Sequence, residues 1–241
     1  HGRNSFDNAN ALVESFVHYN SSYINAFWDG SVLTYGDGDG STYDALTSIE
    51  IVAHEFTHAV TEYSAGLIYS DESGALNEGT SDIFGVVIDY YANPTTANFL
   101  MADNIALNGN PPFRNFANPN LTSNPDTYLG DFWDLGGEVH YNSTVYSHWF
   151  YLLTYGGFGT NDNGDNFSVN SIGMDAAAEI VYRALTLYMT PNTTYDEARI
   201  YTLQAATDLF GSCSNQLVQA SNAWYAVGIG TQFSNAVSAS F

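Results

Sequence analysis

The rhythm of hydrophobic and polar positions changes near residue 46 of this 241-residue chain. Before that point apolar residues come in brief runs broken by Trp28-Asp-Gly30 and Tyr35-Gly-Asp-Gly-Asp-Gly40, which predicts short extended pieces joined by turns. Beyond it the apolar spacing becomes helical. Thr47 or Ser48 can cap a helix that carries Glu50 in its first turn and stops before Gly66. A second helical run opens at Asn77, extends towards Tyr91 and stops near Asn93-Pro94. Residues 104–133, with Pro111, Pro112, Pro119 and Pro125, read as loop, and Ser143 to about Tyr155 reads as an aromatic-rich helix. Three more helices are expected, from Met174 to Met189, Thr194 to Leu209 and Asn215 to about Val227, with Ala178, Ile180, Val181, Ala184, Leu185 and Leu187 as core positions. Strands first and helices afterwards predict an α+β chain with a β-rich N-terminal part and a mainly helical C-terminal one. There is no internal repeat.

The first predicted helix carries His54-Glu55-Phe-Thr-His58. Residues four apart share a helix face, so His54 and His58 can offer ring nitrogens to one ion, while Glu55 sits about 100° round from His54 beside it. Such a pair also arises by chance on helix surfaces, and the next helix decides the matter. Glu78 and Asp82 lie four apart there and share a face. Two histidines and Glu78 leave a fourth zinc position open for water, as catalytic sites require. Asp82 then suits the carboxylate that receives a ring N–H from a ligand histidine and fixes its tautomer.

Several motifs together carry a family resemblance. His54-Glu-Phe-Thr-His58 with Glu78 and Asp82, Thr61-Glu-Tyr-Ser-Ala-Gly-Leu-Ile-Tyr69, Glu72-Ser-Gly-Ala-Leu-Asn-Glu78, Tyr35-Gly-Asp-Gly-Asp-Gly40 and Ser168-Val-Asn-Ser-Ile-Gly173 resemble the thermolysin family of neutral metalloendopeptidases. The resemblance runs from about His1 to Gly228. It implies a central zinc helix at the floor of a cleft, with residues 1–70 the remnant of a β-rich domain plus that helix, 71–229 a mainly helical domain, and 230–241 a tail. It also implies one catalytic zinc, hydrolysis of internal bonds in peptide and protein substrates, Glu55 as general base, and Tyr69 and His140 as donors to the oxyanion.

By the same resemblance Asn25 and Ala26 belong to an edge strand that pairs with extended substrate. Ile51, Met101 and Phe113 line the pocket after the scissile bond, which predicts a bulky apolar residue there, and Arg114 grips a substrate carbonyl. A structural salt bridge accounts for Arg114 equally well, and the two roles are compatible. Asp134 corresponds to the aspartate that orients the family's oxyanion histidine, but Glu138 is an added residue between Asp134 and His140. Glu50, Asp89, Asn98, the Leu100 carbonyl and Asp103 correspond to calcium ligands. Leucine stands at 100 where the two-calcium pattern has an acidic side chain, so one structural calcium is expected rather than two.

Composition narrows the partners. There are 26 acidic residues against four basic ones, all arginine, for a formal net charge of -22. That field disfavours nucleic acid and anionic membrane and favours divalent cations. No run reaches the roughly 18 apolar residues of a membrane helix. A secreted, extracellular enzyme without its leader would look like this. Cys213 is the single cysteine and is expected to be buried. An aminopeptidase with the same two-histidine, one-glutamate set remains the nearest alternative, but its Gly-x-Met-Glu-Asn type of motif is absent and Asn25-Ala-Phe-Trp28 stands in that place. Because His1-Gly-Arg-Asn-Ser-Phe-Asp7 corresponds to an internal family segment, a separate N-terminal segment or propeptide is a further expected partner.

Overall fold

The computed structural model describes residues 2–233. Three short strands, β1 (Ser15–Phe16), β2 (Ala26–Trp28) and β3 (Leu33–Tyr35), form a sheet in the order β1-β3-β2, with β1 parallel and β2 antiparallel to β3. The rest of this part is turn, in keeping with the short extended pieces the sequence predicts. Ser5, Asn8, Asn10, His18, Asn20 and Ser22 all take positive φ, and Asp7 and Asn20 bond nearby backbone N–H groups, so local side chains satisfy what a ladder would have satisfied. The Asp-Gly run is likewise a turn, closed by Asp39 accepting from the N–H groups of Ser41, Thr42 and Tyr43.

Two helices follow, α1 (Ile49–Glu62) and α2 (Asp71–Ala92). Ser48 precedes α1 as expected, but its hydroxyl donates to Glu50 rather than capping a backbone N–H. The second helix begins at Asp71, not Asn77. Asp71 takes a left-handed backbone (φ 52°) and Ser73 and Gly74 are weak helix formers, which hid the first turns. The readable signal was the acidic pair Asp71 and Glu72 behind Ser70. Every residue of α2 from Ser73 to Val86 is buried, so this helix is the axis around which the others pack. Its glycines permit the approach: a Cβ at Gly85 would fall 2.6 Å from the Glu50 carbonyl oxygen of α1.

The pair β4 (Leu100–Met101) and β5 (Arg114–Asn115) then leads through a 3₁₀ turn to α3 (Val139–Asn142) and α4 (Thr144–Tyr155). A hairpin of β6 (Gly157–Thr160) and β7 (Asn166–Val169) precedes α5 (Met174–Leu187), α6 (Tyr195–Phe210) and α7 (Asn215–Ala226). These match the predicted helices to within two residues at each end. Leu187 is the one proposed core position that is exposed. Thr194 and Glu197 close a capping box on α6. The main core holds Tyr146, Trp149 and Trp224 in a stack with ring centroids 4.9–5.6 Å apart. A smaller cluster of Ala26, Leu33, Tyr35, Leu46, Ile51, Ala102 and Ile105 fastens the small sheet to the start of α1. Cys213 is exposed rather than buried, because it falls in the turn between α6 and α7. Most of the expected tail, beyond Phe233, lies outside the described residues.

The close crossing of α1 and α2 makes Gly85→Ala a direct test of the packing. The new methyl meets backbone, which cannot swing aside, and overpacking costs about 1–3 kcal/mol. A drop in melting temperature of roughly 2–4 °C per kcal/mol is expected by circular dichroism. An unchanged melting curve would show that the two helices separate more easily than this.

Candidate metal centre and cleft

Two residues of α1 and one of α2 meet at a point. His54 Nε2 and His58 Nε2 lie 2.9 Å apart, and the Glu78 oxygens lie 3.5 Å and 3.3 Å from them respectively. Among the described residues these three form the only group of His, Cys, Asp and Glu whose ligand atoms all fall within 4.8 Å of one another. Glu78 is 1 % exposed, and its Oε2 is buried with no hydrogen-bond partner. A buried, unpartnered carboxylate oxygen facing two imidazoles fits a zinc ion. Burial works against charge on Glu78, yet the two histidines hold its carboxyl well below the ordinary range. Burial likewise opposes charge on His58, but Glu78 raises its pKa to about 9. Metal binding would displace that proton.

Neighbours fix each ring from behind. His54 Nδ1 lies 2.9 Å from Asp82 Oδ1, so Asp82 stands where the register of α2 put it. His58 Nδ1 lies 2.8 Å from Asn77 Oδ1 and 3.2 Å from Ser81 Oγ, partners that the sequence reading missed although the two lie one turn apart on α2. Asp82 also takes a two-pronged contact from Arg114, with Nε to Oδ2 at 2.5 Å and a terminal nitrogen to Oδ1 at 2.6 Å. Burial alone would push the Asp82 carboxyl up, but Arg114 and then His54 hold it below its usual value.

Above the trio opens a cleft of about 710 Å³ lined by Asn25 to Gly30, Leu46, Ile51, Glu55, Glu62, Tyr69, Met101, Phe113, Arg114 and His140, among others. It gathers all six residues expected to touch substrate. Ala26 and Trp28 belong to β2, which among the described residues is one of the two outer strands of its sheet. Tyr69 donates to Glu78 Oε1 and lies 3.2 Å from His140 Nε2. Burial first, and the Glu78 charge second, raise the Tyr69 pKa, so the phenol keeps its proton. Trp28 Nε1 donates to Glu62 Oε2 at 2.6 Å on the cleft wall, a contact with no short-range sequence signal.

For Asp134 the geometry differs from the expectation. Asp134 does not touch His140: its Oδ2 accepts from the backbone N–H of Glu138 at 2.8 Å, and Glu138 Oε1 is what lies 2.9 Å from His140 Nδ1. The added residue has taken the place expected for the aspartate. Glu50, Asp89 and Asp103 do not converge as tightly as the first trio. Asn98 Nδ2 donates to Asp103 at 2.8 Å, Asn98 Oδ1 accepts from the Leu100 N–H, and Asp89 accepts from Asn93. Glu50 is 2 % exposed and its Oε2 is buried without a partner. His148, by contrast, lies away from the cleft with Nδ1 on the Phe116 carbonyl at 2.7 Å.

Two imidazoles and a carboxylate around one point, with a further carboxylate beside them in an open cleft, define a metal site of the two-histidine, one-glutamate class. The chain belongs to the thermolysin metallopeptidase family: residues 1–62 match the pattern of its catalytic domain and residues 65–229 that of its alpha-helical domain. It is 42% identical over 236 residues to the thermostable neutral protease NprT of Geobacillus stearothermophilus and, to the same extent, to a thermolysin of Alicyclobacillus acidocaldarius, covering 95% of this chain and 42% of each relative. A transglutaminase-activating metalloprotease of Streptomyces mobaraensis is 41% identical over 255 residues, which span 99% of this chain and 32% of that one. The chain thus spans about two fifths of the length of the first of these relatives. The solved precursor of protealysin, a metalloproteinase of Serratia proteamaculans, superposes with a TM-score of 0.79 at 28% identity over 95% of this chain and 72% of that one. No helix among the described residues is long and apolar enough to cross a membrane.

Asp82→Asn should weaken zinc binding by about 10–100-fold, since it removes the charge that aligns His54 while keeping the shape. Competition with a chelator of known affinity measures this. Wild-type affinity would show that the His54 ring is held by packing alone.

Proposed function

We propose that the chain is a zinc-dependent endopeptidase that hydrolyses internal peptide bonds preceding bulky apolar residues. The observation that carries this is the convergence of His54, His58 and Glu78 at the floor of a cleft that Glu55, Tyr69, His140 and Arg114 also line. Zinc held by those three residues would supply a Lewis acid for the scissile carbonyl and lower the pKa of its water towards about 7. Glu55 lies next to His54 and outside the ligand trio, so it takes the proton of the attacking water and passes it to the leaving amine. Tyr69 and His140 converge beside Glu78 and donate to the oxyanion as charge develops there. Arg114 keeps Asp82 and turns its remaining donors to a substrate carbonyl. The outer edge of β2 offers backbone groups to an extended peptide, and Leu46, Ile51, Met101 and Phe113 make the apolar pocket for the side chain after the cleaved bond.

An end-blocked peptide with one bulky apolar residue inside it tests this reading. Cleavage just before that residue, mapped by mass spectrometry, is the expected result, and cleavage only of free-amine peptides would make the protein an aminopeptidase. In the same assay Glu55→Gln should keep zinc and lose ~10²–10⁴ in rate. His140→Ala should lower kcat by about 10²–10³ with little change in KM. Near-normal turnover by zinc-loaded Glu55→Gln would remove Glu55 as the base.

We also infer one structural calcium held by Glu50, Asp89, Asn98, Asp103 and the Leu100 carbonyl. The support is the buried, unpartnered Glu50 oxygen and the net charge of -22, both of which a divalent cation relieves. Removing calcium with zinc kept saturating should lower the melting temperature and expose the chain to self-cleavage. A melting temperature indifferent to calcium would count against the site.

A further inference from the structure

His140 is half-exposed, with 48% of its side chain accessible, and it stands on α3, a single turn of four residues. Packing therefore does little to stop its ring from turning. What holds it is Glu138. One oxygen of that carboxylate lies 2.9 Å from His140 Nδ1, and the other accepts the Tyr141 N–H at 2.8 Å as the cap of α3. The carboxylate is held at one oxygen by the backbone while the other oxygen holds the ring. Nε2 is thereby left facing the Tyr69 hydroxyl at 3.2 Å and Glu78 Oε1 at 3.5 Å.

Asp134 stands one step further back. Its Oδ2 accepts the Glu138 N–H at 2.8 Å, and its own N–H and C=O bond the Asn142 side chain at 2.9 Å each. These bonds set the backbone of the loop. Gly137 lets that loop turn tightly, with φ at 79° and space for a Cβ closed by Asp71 Oδ1 at 2.6 Å.

We propose that Glu138 is the positioning residue of His140, holding the imidazole so that Nε2 faces the oxyanion, while Asp134 acts only on the loop that delivers Glu138. The proposal rests on the reading of His140 as an oxyanion donor. Glu138 acts through His140 and touches no reacting atom. Its length matters, because a shorter side chain at the cap still reaches the Tyr141 N–H but not the ring two residues on.

Glu138→Ser separates the two contacts, since serine caps a helix well but cannot reach His140. It should lower kcat by about 10–100-fold with KM near wild type. Glu138→Gln, equally long and still an acceptor, should recover part of that loss. A second readout needs no turnover: in zinc-loaded protein with ¹⁵N-labelled histidine, the His140 Nδ1–H resonance should vanish or move in Glu138→Ser and persist in Asp134→Asn. Wild-type kcat and an unmoved resonance in Glu138→Ser would overturn the proposal, as would loss of the resonance in a folded Asp134→Asn. If the wild type cleaves no peptide yet the resonance follows Glu138, the peptidase reading fails and the positioning of His140 by Glu138 stands.

Discussion

The buried carboxylate of Asp82 is the contact on which the rest of the site depends. It is wholly inaccessible, yet it is charged, because Arg114 grips both its oxygens and His54 Nδ1 approaches one of them. Removing Arg114 would strand that charge where water cannot reach, which typically costs 3–5 kcal/mol. That single group ties three segments together: α1 through His54, α2 through its own backbone, and β5 through Arg114. Asp82, Glu78 and Glu55 are buried carboxylates, and Arg114 is the buried guanidinium among them. With His58 carrying a proton beside Glu78, a dication bound there would displace that proton and take over the positive charge that faces Glu78, so the ion that would do the chemistry also serves the electrostatics of the fold.

The polar seam explains why α2 has such an unusual helix sequence. Asn77, Glu78, Thr80, Ser81 and Asp82 fill its buried middle, where an ordinary helix axis would carry leucine. The neighbouring glycines let α1 and α3–α4 come close enough for those short side chains to reach their partners: a Cβ at Gly79 would meet the Ser143 oxygen at 3.0 Å, and Gly85 is tighter still against Glu50. Helix propensity is sacrificed here to geometry, and the main aromatic core around Trp149 and Trp224 offsets it elsewhere. The small cluster of Leu33, Leu46, Ile51 and Ile105 does a different job, fastening β2 alongside α1 so that a sheet edge and a metal trio face the same cleft.

The parts that were legible in the sequence share a cause, which is short-range periodicity. His54 with His58 and Glu78 with Asp82 each sit one turn apart, so their faces follow from helix geometry alone. The later helices were legible from apolar spacing and from stops such as Pro191. What escaped depends on contacts between distant residues or on backbone states that local patterns hide. The start of α2 was masked by a left-handed Asp71 and by Ser73-Gly74, the Trp28–Glu62 contact spans two elements, and the exchange of Asp134 for Glu138 turns on one added residue in a loop. In that last case the resemblance points to Asp134, whereas it is a Glu138 oxygen that lies against His140 Nδ1.

The opposed shifts of His58 and Glu78 couple folding to metal loading. Glu78 raises the His58 pKa from 6.5 to about 9 in the metal-free chain, so this pair contributes stability that is fully present below 6.5 and is lost as pH rises through about 9. Glu78 is shifted the other way, so its contribution is present above its ordinary 4.5 and is lost as pH falls through its depressed value. The metal-free site is thus held most firmly in mildly acidic to neutral solution, by the proton on His58 facing the Glu78 carboxylate, two groups that would also hold the ion. Zinc held there would replace that proton with little movement of the rings, because Asp82, Asn77 and Ser81 already fix them from behind. The site is preorganised by bonds on the side away from the metal, which is why the residues of α2 that never touch the ion matter as much to it as those that do.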